Sequence, residues 1–142
     1  MKYLLDTDHI SFLQRRSGPE YAALAARMAQ HKPADFALCV VSFHEQTLGA
    51  NTFISRARTT ADVVRGYTLF GEILSGFAGA TVLPFDTAAA AVFDGMRAQR
   101  VRIPTMDLRI AAIALVQGLV LLTRNRADFS RVPGLVIEDW TV

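Results

Sequence analysis

Lys2-Tyr3-Leu4-Leu5-Asp6-Thr7-Asp8 is the stretch on which the reading of this chain turns. It is a short apolar run that stops abruptly in acid. Tyr3–Leu5 is too brief for a helix and reads as a buried strand. Asp6 then stands where that strand leaves its sheet. In an open α/β sheet, ligands bind in the crevice beyond the carboxyl ends of the strands. A carboxylate there is placed for chemistry rather than for packing, and what matters next is whether other acids reach the same edge.

Working outward, Asp8 is expected to cap a helix through His9–Gln14, and Pro19 opens a second helix that runs to about Gln30. Phe36–Val41 is apolar throughout, as in a strand covered on both faces. Ser42-Phe43-His44-Glu45 has the spacing of a capping box, which starts a helix at Ser42 that Gly49-Ala50-Asn51 should end. Thr59–Phe77 reads as a long helix, Ala80–Phe85 as a third strand, and Thr87–Gln99 as a helix capped by Asp86. After a basic loop over Arg100–Met106, Asp107 opens the apolar helix Leu108–Gln117. Leu119–Leu122 is a fourth strand and Leu135–Ile137 a last one. Strands alternating with helices predict a parallel α/β fold. A central sheet of about five strands carries helices on both faces, joined by right-handed crossovers. Residues 1–142 are expected to form one domain.

Hydrophobic residues make up 51% of the chain, enough for a core that needs no staple. The lone cysteine, Cys39, excludes an internal disulfide and fits a reducing compartment. Asp6 interrupts the apolar start, so no secretory leader is read, and the broken run Ile110–Leu122 is shorter than the roughly 18 residues of a membrane span. These features predict a cytoplasmic protein. Net charge is +2, and every base except Lys2 and Lys32 is arginine, the better fork for phosphate. With four acids drawn into one site the remaining surface is more basic still, which favours a polyanionic partner; Arg-rich coding is the bland alternative.

The acids do gather. Asp6 follows the first strand, Glu45 the second and Asp128 the fourth, while Asp107 opens a helix that runs back antiparallel to the strand after it. Each has an ordinary explanation: Glu45 as a capping partner, Asp107 as a helix-dipole acid, Asp128 as a solvated loop acid. Together they point to one crevice, where they would repel unless a cation neutralised them. Oxygen donors without Cys or His favour Mg²⁺ or Mn²⁺, the machinery of phosphodiester hydrolysis. His9 and His44, each single, read as structural or solvated.

These residues resemble the PIN-domain ribonucleases of the VapC toxin class. The resemblance is carried by Leu4-Leu5-Asp6-Thr7, by Val41–Glu45, and by Asp107 with Ile110-Ala111-Ala112-Ile113-Ala114. It continues in Leu122-Thr123-Arg124-Asn125-Arg126-Ala127-Asp128-Phe129 and in the close from Arg131-Val132-Pro133-Gly134-Leu135 to Trp140. It runs from end to end of the chain. It implies a five-stranded parallel PIN fold and a Mg²⁺- or Mn²⁺-dependent endoribonuclease that hydrolyses RNA with a metal-activated water. Asp6, Glu45 and Asp107 match the metal-holding acids; Asp128 or Asn125 fills the fourth position, and Thr123 matches a supporting polar residue. Gln46 departs from the aliphatic residue expected after Glu45.

Arg100, Arg102, Arg124 and Arg126 flank the expected crevice and are candidates to hold the RNA backbone. The resemblance also implies a toxin homodimer and a toxin–antitoxin hetero-oligomer with a cognate VapB-type partner. The antitoxin would be seated in an apolar groove for which Phe12, Phe43, Phe53 and Ile54 are candidates, though ordinary core packing is the stronger explanation of them. Two rivals are weaker. One is a PIN-like RNA-binding module with little or no activity. The other is an aspartyl-nucleophile phosphatase built on Asp6 and Asp8, which would want a late lysine that the chain lacks.

Overall fold

The structure, a computed structural model, describes residues 1–142. Five strands form one all-parallel sheet: β1 (Tyr3–Leu5), β2 (Phe36–Cys39), β3 (Val82–Leu83), β4 (Val120–Leu122) and β5 (Ile137–Glu138), in the order β3-β2-β1-β4-β5. The first strand in the chain is therefore the middle of the sheet. Order reverses between β1 and β4, so the crevice outside their carboxyl ends is the switch point where such sheets bind ligands.

Seven helices complete the chain: α1 (Thr7–Arg15), α2 (Pro19–Met28), α3 (Val40–Ser55), α4 (Thr60–Ala78), α5 (Thr87–Ala98), α6 (Thr105–Gln117) and the single turn α7 (Arg126–Phe129). They cover both faces, and the pleat decides which. Leu4 and Leu121 point into a core with Phe93 and Met96 of α5 and Ile110–Ala114 of α6. Leu5 and Leu122, one residue on, point the other way into a core with Ile10 of α1, Leu24 of α2, Ile73 and Phe77 of α4, and Trp140. Cys39 is buried and free. No helix is long and apolar enough to cross a membrane.

Several boundaries differ from the sequence reading. Asp6, not Asp8, caps α1: its backbone is extended and its side chain accepts from the Thr7 N–H. The second strand ends at Cys39, two residues early, because α3 starts at Val40. Ser42 and Glu45 are thus inside a helix rather than forming its capping box. Gly49 does not end α3, which continues to Ser55 as Ala50 packs into the core and supplies the burial that outweighs glycine's weak propensity. The last strand sits at Ile137–Glu138. Gly118, at φ 65°, ends α6 as expected.

Gln46 is explained by its partner. Its side-chain amide exchanges two hydrogen bonds, of 2.8 and 2.9 Å, with Gln14 of α1. The pair ties α1 to α3.

Candidate metal centre

Asp6 leaves β1 at the centre of the sheet and is 6% exposed. Both its oxygens are held. Oδ1 accepts from the Thr7 backbone at 2.8 Å, and Oδ2 accepts from Thr123 Oγ1 at 2.7 Å. Thr123 is fully buried one residue beyond β4, so the two central strands present these side chains to each other as they leave the sheet. Thr7 serves twice: its hydroxyl also donates to Glu45 Oε1 at 2.8 Å and lies 3.0 Å from Ser42 Oγ. Glu45 is thereby turned from the second turn of α3 toward β1. Asp107 lies in the first turn of α6 and is partly buried.

Asp6, Glu45 and Asp107 each bring a carboxylate oxygen within 4.8 Å of the others. The electrostatic consequence is visible in their proton affinities. Burial first, then the Asp8 charge, pushes the Asp6 carboxyl up to about 7, against the pull of the Thr123 and Thr7 hydrogen bonds. Burial first, then the charges of Glu45, Asp128 and Asp8, pushes Asp107 up to about 6. Acids that resist ionisation because they are buried and face other carboxylates fit a divalent cation, which would favour their ionised forms.

Asp128 is not one of this trio. It belongs to α7, where Asn125 Nδ2 donates to its Oδ2 at 3.0 Å while Asn125 Oδ1 accepts from the Asp128 N–H at 3.2 Å. Asn125 is the N-cap of α7, and its own N–H donates to Thr123 Oγ1 at 3.0 Å. Asp128 still stands near enough for its charge to raise Asp107. The sequence reading gave Thr7 no role of its own, and it gave Ser42 and Asp8 to helix caps. The signal for Thr7 was its position directly after the strand-end acid; for Ser42 there was none beyond its place three residues before Glu45.

Arg100, Arg102, Arg124 and Arg126 are all exposed. Arg100 and Arg102 lie in the segment before α6, the helix that carries Asp107 in its first turn. Arg124 lies along Phe12, with its guanidinium 5.7 Å from the ring centroid, and its Nε is 3.9 Å from Asp139 Oδ2. His44 is exposed, whereas His9 is wholly buried.

The chain matches no family model. It is 30% identical to the tRNA(fMet)-specific endonuclease VapC of Salmonella typhimurium, over 99% of this chain and 98% of that protein. The structure of DNA-bound VapBC from Salmonella typhimurium superposes with a TM-score of 0.75 at 26% identity, covering 99% of this chain and 98% of that one. FitAcB from Neisseria gonorrhoeae superposes with a TM-score of 0.72 at 28% identity, covering 99% of each chain. With a relative this similar along almost the whole of both sequences, and the same fold in the solved complexes, the chain belongs to the VapC family of PIN-domain ribonucleases.

Proposed function

We propose that this chain, one PIN domain over residues 1–142, is a Mg²⁺- or Mn²⁺-dependent endoribonuclease and the toxin of a VapBC-type pair. The observation that carries this is the convergence of Asp6, Glu45 and Asp107 at the sheet's switch point. These three would hold the ion, with Asp128 near enough to contribute charge. When bound, a divalent ion supplies Lewis-acid stabilisation of phosphoryl charge and makes water more acidic. The chain's own residues do the rest. Thr123 and the Thr7 backbone fix both oxygens of Asp6, and the Thr7 hydroxyl aims Glu45. The exposed guanidiniums of Arg100, Arg102, Arg124 and Arg126 would grip the RNA backbone on either side of the acids.

The antitoxin reading is supported by a groove of ≈ 890 Å³ bordered by α1 and α4, with Ile10, Leu13, Leu38 and Phe77 in its wall and Arg16 among its polar residues. None of the four residues proposed from sequence lines it. Phe43 packs on Phe77, Phe12 lies under Arg15 and Arg124, and Ile54 abuts Gly66. A homodimer is supported by the exposed apolar side chains of α3 and α4, among them Leu48, Phe53, Val64, Tyr67 and Leu74.

Purified protein incubated with total RNA and Mn²⁺ or Mg²⁺, beside EDTA and an Asp6→Asn variant, tests the proposal. Discrete cuts that need both metal and Asp6 are expected. The substrate named for the Salmonella relative, tRNA(fMet), is the first defined RNA to try. Metal binding without cleavage of any RNA would favour a silent binding module, and no response to metal would sink the site.

A further inference from the structure

Asp8 is two positions from Asp6 yet stands outside the carboxylate trio. Its oxygens are already engaged. Oδ1 accepts from His9 Nδ1 at 2.7 Å; Oδ2 accepts from the Arg124 N–H at 2.9 Å and lies 3.4 Å from Thr123 Oγ1, whose one proton goes to Asp6. His9 is fully buried, and its other ring nitrogen, Nε2, accepts from the Trp140 N–H at 3.2 Å. A backbone N–H can only donate, so Nε2 carries no proton and the ring proton is on Nδ1, directed at Asp8. The nearest other acid, Asp139, has an oxygen 3.8 Å from Nε2, beyond hydrogen-bond reach, and that oxygen is taken by Thr141. The Asp8–His9 pair therefore joins the first turn of α1 to the turn after β4, through Asp8, and to the segment after β5, through His9.

We infer that His9 and Asp8 are positioning residues for the metal centre: His9 orients Asp8, and Asp8 clamps the Thr123–Arg124 turn from which Thr123 holds Asp6. This rests on the metal-nuclease reading above. Burying a ring with two polar atoms costs free energy that an apolar side chain of the same size would not, unless both atoms are bonded, as they are here. Space-filling alone does not call for that arrangement.

Two amides divide the imidazole's roles. In His9→Asn the side-chain amide falls near Nδ1 and can still donate to Asp8, while the acceptor for Trp140 is lost. In His9→Gln the amide reaches the Nε2 position and can accept from Trp140, while Asp8 loses its donor. Both should lower the melting temperature. Mn²⁺ binding, followed by calorimetry, should stay within about threefold of wild type in His9→Asn and weaken on the order of 10-fold or more in His9→Gln. Affinity that falls equally in both variants, or in neither, overturns the inference while leaving the metal site standing. A wild type that binds no Mn²⁺ overturns the metal reading and this inference with it. The ¹⁵N–¹H imidazole spectrum of the metal-free wild type gives an independent check: a proton on Nδ1 is expected, and a proton on Nε2 would refute the clamp even if neither variant folds.

Discussion

Thr123 Oγ1 lies 2.7 Å from Asp6 Oδ2, a hydrogen bond between side chains 117 positions apart in the chain. It is buried, and it stabilises the ionised form of a carboxyl that burial pushes toward neutrality. Thr123→Val keeps the shape and removes the donor. Mn²⁺ affinity should drop on the order of 10- to 100-fold, and Thr123→Ser should restore it. Calorimetric titration of the two variants decides; a valine variant that binds like wild type would show that the bond is incidental.

The metal-free protein should become less stable as pH rises. The Asp6 carboxyl has an ordinary value of 3.8 and a folded value of about 7, so the folded state holds its proton more tightly than the unfolded chain does. The stability from that tighter hold is fully present below 3.8 and is lost as pH climbs through about 7, with Asp107 adding to the loss up to about 6. Metal binding has the opposite dependence, since it needs the ionised groups, and should strengthen over the same interval. Thermal melts with EDTA and with Mn²⁺ at several pH values should therefore converge in acid and separate near neutrality.

Asp6→Asn removes a buried carboxylate whose ionisation burial first, and the Asp8 charge second, oppose. Above pH 7 the metal-free variant should be more stable than wild type, by up to the order of 4 kcal/mol, and its melting temperature should no longer respond to Mn²⁺. A variant less stable than wild type at that pH would mean that holding Asp6 ionised and buried does not cost the fold stability.

Asp107 and Asp128 should separate. Asp107 shares the trio and Asp128 does not. Asp107→Ala should abolish both metal response and cleavage, while Asp128→Ala should keep metal binding within about tenfold. Equal losses would put Asp128 among the ligands.

Gly66 marks where α3 and α4 touch. A Cβ there would collide with Ile54 Cγ1. Gly66→Ala should cost about 1–3 kcal/mol in urea unfolding despite alanine's better helix propensity, and Ile54→Ala in the same chain should recover part of it.

Much of this was legible from residue order. A three-residue apolar run ending in Asp6, and an acid opening an apolar helix at Asp107, fix two of the trio before any contact is known. Helix starts were less legible. Val40 and Val41 have the β-branched chemistry of a strand, yet tertiary packing winds them into α3, and Glu45 comes to the site from inside a helix rather than from its cap. Asp6 displaced Asp8 as the cap of α1 for the same reason: a cap is set by backbone angles, and Asp6 and Asp8 are equally good capping residues. The bonds from Thr7 to Glu45 and from His9 to Trp140 span 38 and 131 positions, and no local pattern encodes them.

The middle position of β1 sets the order in which the centre can be completed during synthesis. Tyr3–Leu5 is synthesised well before Val120–Leu122, and its pairing edge on one side waits for that strand. Until then Asp6 has no Thr123 beside it, and the turn that Asp8 clamps does not yet exist. A nascent chain therefore carries Asp6 through 117 further positions without the partner that fixes it. The centre cannot be assembled before Thr123 has been made, so translation itself delays any activity toward the RNAs around it.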